Sequence, residues 1–135
     1  MSTQGEHTFE VETLISGEEI RSYTAGEALT AGEPVGLSGD YTVSASGAGE
    51  GDFLGVAAYD VASGEEVPVL GDDCEVRVEV SEAVTAGEEL LPDGLGTFES
   101  VATSAGSSGV AIVQDGASSG ELAEAYIFAV QGATA

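Results

Sequence analysis

Carboxylates are the one chemical group this chain has in quantity: 25 Asp and Glu stand against two Arg, one His and no Lys. The doublets Glu65-Glu66, Asp72-Asp73 and Glu88-Glu89 have the residue types for general acid–base work. Adjacent residues on a strand point to opposite faces, so none of these doublets aims both carboxylates into one site; solvated acidic faces are the better reading. Oxygen ligands alone can hold Mg²⁺ or Ca²⁺, but no Asp-rich loop has ligand spacing, and diffuse cation association is expected instead of a specific metal. Any Ser-His-Asp triad or His-ligated metal would have to be built around His7, which reads as a plain polar residue of an N-terminal arm. Without Lys there is no Schiff base, no phosphate-loop lysine and no biotin or lipoyl attachment site. The run Gly47-Ala48-Gly49-Glu50-Gly51 carries an acid and precedes no helix, so it reads as a surface turn, not a phosphate cradle. Cys74 stands alone, which excludes an intrachain disulfide and a Cys-based metal site; its apolar surroundings make it a small buried hydrophobe. No enzyme and no cofactor is expected.

The same acids give a formal net charge of -23 on 135 residues, spread from Glu6 to Glu124 instead of gathered in a tail. With 42% hydrophobic residues, this describes a folded body with an acidic skin. Such a surface repels itself in dilute buffer. In molar salt the screening length falls to about 3 Å, and the repulsion largely disappears. The composition is that of a protein working in brine. Nucleic acid needs a basic surface and is excluded as a direct partner. Met1 to Glu6 lacks the basic patch and apolar run of a secretory signal, and no apolar stretch approaches the roughly 18 residues a membrane span needs.

Any positioning of side chains must come from strands, because period-two alternation dominates. The clearest case is Cys74-Glu75-Val76-Arg77-Val78-Glu79-Val80, whose even positions face a core and whose Arg77 stands between two acids, relieving like-charge crowding. Phe9 to Ile15, Asp40 to Ala45, Thr97 to Val101 and Ala125 to Val130 read as further strands. Phe53 to Ala58 and Gly109 to Val113 are short apolar runs of the fully buried kind. Glu66 to Leu70 contains Pro68, which predicts an edge position or a bulge. A helix is conceivable only over Ser119 to Ala125, and the following β-favouring residues argue against it.

The chain also contains itself twice. Thr30-Ala31-Gly32-Glu33 returns as Thr85-Ala86-Gly87-Glu88, Gly55-Val56-Ala57 as Gly109-Val110-Ala111, and Ser63-Gly64-Glu65 as Ser119-Gly120-Glu121. The offsets are 55, 54 and 56 residues. The expected organisation is a single β domain over residues 20–135, with repeat halves at about 24–80 and 81–135 packed face to face around one core. Residues 1–19 form an N-terminal arm or first strand.

The pattern Ala25-Gly26-Glu27-Ala28-Leu29-Thr30-Ala31-Gly32-Glu33-Pro34-Val35, then Phe53-Leu54-Gly55-Val56-Ala57 and a second Ala-Gly-Glu, resembles the small capsid cement or decoration proteins of tailed viruses. The resemblance covers most of residues 20–130. It implies an all-β fold, a small β-barrel of β-clip or β-tulip type. It implies a protein that binds the outside of the capsid, usually as a trimer at local three-fold positions, and reinforces the shell. The partner would be the major capsid protein and the location the virion exterior; the acidic skin makes the virus one of a halophilic archaeon, assembled in the host cytoplasm. Thr8, Phe9, Val11, Leu14 and Ile15 would then contact the capsid or a neighbouring copy by strand addition, or else form the first strand of the chain's own barrel. The competing function is a receptor- or glycan-binding β domain on a virion or cell surface. Such domains cluster exposed aromatics, whereas Tyr23, Tyr41, Tyr59 and Tyr126 are scattered.

Overall fold

A computed structural model describes residues 13–17, 20–49, 52–101 and 109–130. Within them the chain is all-β, with eleven strands and no α-helix. The strands are β1 (Leu14–Ser16), β2 (Ile20–Ala25), β3 (Pro34–Gly39), β4 (Thr42–Ala45), β5 (Gly55–Ala57) and β6 (Glu66–Leu70). They continue as β7 (Glu75–Glu79), β8 (Glu89–Pro92), β9 (Phe98–Ser100), β10 (Ala111–Asp115) and β11 (Leu122–Ile127). Strands β2 to β6 close a barrel in the order β2-β4-β3-β5-β6, and the rest form a sheet ordered β1-β7-β11-β10-β8-β9.

The duplication is written in the hydrogen bonds. Leu29 and Val61 exchange a pair of backbone bonds, as do Val84 and Ala117. The Gly32 N–H donates to the Ala57 carbonyl, and the Gly87 N–H to that of Val113. The Gly64 N–H reaches Ala25, and the Gly120 N–H reaches Val80. The ladders agree: Ile20↔Leu70 matches Glu75↔Tyr126, and Val35↔Ala45 matches Leu90↔Ser100. Strand β2 thus corresponds to β7, β3 to β8, β4 to β9, β5 to β10 and β6 to β11. The parallel closure also has its counterpart, since Ala25↔Val43 in the barrel becomes the single bridge Val80↔Phe98 in the second unit. One landmark shifts. Gly55 corresponds to Ala111, not Gly109, because the bond from Leu54 to Val35 is repeated from Val110 to Leu90.

Two clusters, not one, make the core. Ala25, Leu29, Val35, Val43, Ala57, Val61, Val67 and Val69 fill the barrel. The larger cluster fills the second unit and takes in Phe53, Val56 and Leu70 from the first. Strands β5 and β6 are therefore buried on both faces: Ala57 and Val69 look into the barrel, Val56 and Leu70 toward the second unit. This is why both segments read as continuous apolar runs instead of alternating ones. Phe53 meets Phe98 edge-on across the junction, with ring centroids 5.9 Å apart at 80°.

Two local expectations change. Pro68 is not on an edge, since β6 lies between β2 and β5. Its carbonyl accepts from the Ala58 N–H, so its missing N–H points to the same side, where β5 has already ended at Ala57. Strand β11 begins at Leu122, three residues earlier than its β-rich tail indicated. The candidate helix over 119–125 is a turn leading into that strand.

Candidate interaction surface

The residues chosen from sequence as contacts divide at Thr13. Thr8, Phe9 and Val11 lie outside the described residues. Leu14 and Ile15 sit on β1, half-buried, and β1 pairs antiparallel with β7 through Leu14↔Val76 and Ser16↔Glu75. The Thr13 carbonyl accepts from the Arg77 N–H at 2.7 Å. Leu14 packs against the larger core cluster, over the fully buried Val76. At Gly17, with φ of 137°, an added Cβ would lie 2.7 Å from the Cys74 Cα, so only glycine lets the chain leave β1 this close to the start of β7.

The corresponding edge in the first unit is different. Ser22 faces Pro68 across the β2–β6 ladder, and Pro68 directs its backbone toward β5. The pair is therefore of the non-hydrogen-bonded kind, and the N–H and carbonyl of Ser22 point away from β6. The same holds two residues on at Thr24, whose N–H is taken by the Tyr41 carbonyl at the start of β4. For Ile20 and Ser22, no described strand lies on that side. Ile20, Arg21 and Ser22 are all exposed, Ile20 at 41%, whereas their counterparts Glu75, Val76 and Arg77 are half-buried, buried and half-buried.

Many of the acids hold turns instead of decorating them. Glu33 accepts from the Thr30 N–H and Glu88 from the Thr85 N–H, which makes the repeated Thr-Ala-Gly-Glu a fastened turn. Glu27 accepts from the Ala45 N–H at 2.8 Å, and its counterpart Glu82 from the Ser100 N–H at 2.7 Å. Asp60 takes the Ala31 N–H. Asp93 fastens the β8–β9 turn through the N–H groups of Leu95 and Thr97 and the Thr97 hydroxyl. Bonds from the Thr85 hydroxyl and N–H hold the Glu88 carboxyl below its usual range. At Asp93 partial burial pushes the pKa up, but the bonds from Thr97, Leu95 and Ser81 outweigh it and the net shift is downward. The Tyr126 hydroxyl donates to Asp73, which raises the phenol pKa. Arg77 reaches across the sheet to Glu124, its ladder partner, at 3.6 Å. Among the described residues no group of three or more His, Cys, Asp and Glu is placed to hold a metal ion.

Exposed apolar side chains stand at the hairpin tips: Tyr41 between β3 and β4 is 80% exposed and Leu95 between β8 and β9 is 85% exposed. Tyr41 keeps a positive φ of 49°, and its counterpart Gly96 has 90°. The other tyrosines sit elsewhere, Tyr23 packed on the barrel core, Tyr59 after β5 and Tyr126 on β11. The chain is similar in fold to the N base of head fiber gp8.5 of bacteriophage phi29. The match has a TM-score of 0.59 and 22% identity, and it covers 80% of this chain and 92% of the other. At that identity the likeness is one of fold. No protein-family model matches the sequence, and no curated protein does.

Proposed function

We propose that this chain is a structural protein of a virion, standing on the outside of the capsid and reinforcing it. The observation that carries this reading is the fold it shares, over most of both chains, with the base of a phage head fiber. The part proposed for it is that of a decoration or cement protein: its partner is the major capsid protein, it assembles as a trimer, and its host is halophilic. The chemistry supports a scaffold. Carboxylates that could have been acids or bases are engaged in fastening turns, in matching places in the two units. The skin of -23 supports work in brine.

Trimerisation gathers three copies of that charge, so assembly and capsid attachment should weaken as salt is removed. Sedimentation of the protein, alone and with capsids stripped of it, from molar to millimolar salt measures both. The expected result is co-sedimentation in molar salt and release at low salt. Assembly and attachment that are indifferent to salt would count against the reading.

A further inference from the structure

We infer that the edge of β2 at Ile20 to Ser22, which no described strand covers, accepts the N-terminal segment Thr8–Glu12 of a second copy of this chain as an added antiparallel strand. The molecule itself shows what such an edge takes. The two units are built on one plan, and in the second the matching edge of β7 is completed by β1, with the Thr13 carbonyl on the Arg77 N–H. Ser22 is the counterpart of Arg77, and its outward N–H and carbonyl offer the same two bonds. The burial differs in the same sense: Val76 is buried beside Leu14, while Arg21, its counterpart, is exposed.

The occupant is argued from pattern, charge and connection. Thr8-Phe9-Glu10-Val11-Glu12 alternates as an edge-adding strand must, with apolar residues on one face and acids on the other. Phe9 and Val11 would rest on Tyr23, which is half-buried against the barrel core, and on the stem of Arg21. No residue from Ile20 to Thr24 is acidic, so Glu10 and Glu12 would meet no carboxylate on the strand they pair with. The segment joins β1 at Thr13, whose carbonyl is committed to β7 in its own copy, which favours a neighbour's β2 over its own. An exposed edge is otherwise a liability that a soluble protein covers. This inference stands without the capsid reading, because it concerns assembly of the purified chain.

Two variants and a cross-link test it in molar salt. Ser22→Pro removes only an N–H that points away from β6, and deletion of residues 2–12 removes the occupant. Each should reduce assembly at least tenfold by sedimentation velocity, with the melting temperature of the isolated copy little changed. Should Ser22→Pro fail to fold, the cross-link decides. Chains with Ser22→Cys, mixed under oxidising conditions with differently tagged chains carrying one Cys at each of positions 8 to 12 in turn, should give a disulfide between copies at alternate positions. Cys74 is buried and stays silent. Assembly unaffected by Ser22→Pro or by the deletion overturns the inference. So does a disulfide formed only within one chain of a dilute double variant. A wild-type chain that stays monomeric yet loses capsid binding on Ser22→Pro also overturns it, in favour of a strand from the shell.

Discussion

The two units share a strand plan and differ in how each is finished. The first closes through two parallel pairs, Thr24↔Thr42 and Ala25↔Val43, around a small core made mostly of Val and Ala. The second keeps one bridge, Val80↔Phe98, adds β1 on its flank and borrows three large side chains from its neighbour. Where the ladder closes fully, small side chains suffice. Where it closes by one bridge, Phe98 takes the position of Val43 and Phe53 comes across to meet it. Size at the junction thus stands in for hydrogen bonds at the seam, and neither unit is independent of the other.

The sharpest way to break this comparison is to shorten the two matching side chains. Phe98→Ala empties a site that is 1% exposed and should cost about 3–5 kcal/mol. Val43→Ala, at 0% exposure, removes two methyls and should cost about 2 kcal/mol. Denaturant unfolding in molar salt measures both. Equal costs would mean that the junction carries no special load.

Next come the matching carboxylate fasteners. Glu82→Ala strands the Ser100 N–H at a buried residue and should cost about 1–3 kcal/mol. Glu27→Ala frees the N–H of Ala45, an exposed residue where water can replace it, and should cost about 0.5–1.5 kcal/mol. The same unfolding assay should rank Glu82 above Glu27; the reverse order would show that exposure does not govern these turns.

A pH series sharpens the comparison further. Glu88 and Asp93, both in the second unit, have depressed pKa values when folded. Their contribution is present above the unfolded carboxylate values of about 4. It is lost as pH falls through the lower folded values, because the unfolded chain takes up protons first. Melting temperature in molar salt should drop below about pH 4, and Thr85→Val with Thr97→Val should flatten the drop. An unchanged slope in that double variant would remove these two groups from the account. The smallest effect belongs to the cross-strand pair. Arg77→Gln should cost less than about 1 kcal/mol at low ionic strength, and less still in brine, since Arg77 and Glu124 are 30% and 35% exposed.

What sequence made legible was local. Alternation marked β7, and the Thr-Ala-Gly-Glu copies marked two turns whose Thr N–H meets a Glu three residues on; the proline pointed to an edge or a bulge, and β6 is neither. The all-β fold and the duplication followed from such signals, and the barrel from the resemblance to decoration proteins. The match of Gly55 to Gly109 misled by two residues, because identity at three common residues outweighed a change in offset that only the ladder reveals. Pairings between distant segments were not legible. Nothing near Glu27 announces Ala45, nothing near Arg77 announces Glu124, and nothing in Ile20 to Ser22 tells that no described strand covers its edge while β1 covers that of Glu75 to Arg77. An edge belongs to the sheet, and the sheet is set by contacts some 50 residues away.

The central claim is that this chain belongs to a particle. Quantitative mass spectrometry of purified virions, from cells producing this protein and its virus, tests it most directly. The account predicts the chain in fixed stoichiometry with the major shell protein and accessible to surface labelling on intact particles. Virions free of the chain, with all of it in the soluble fraction, would contradict the account.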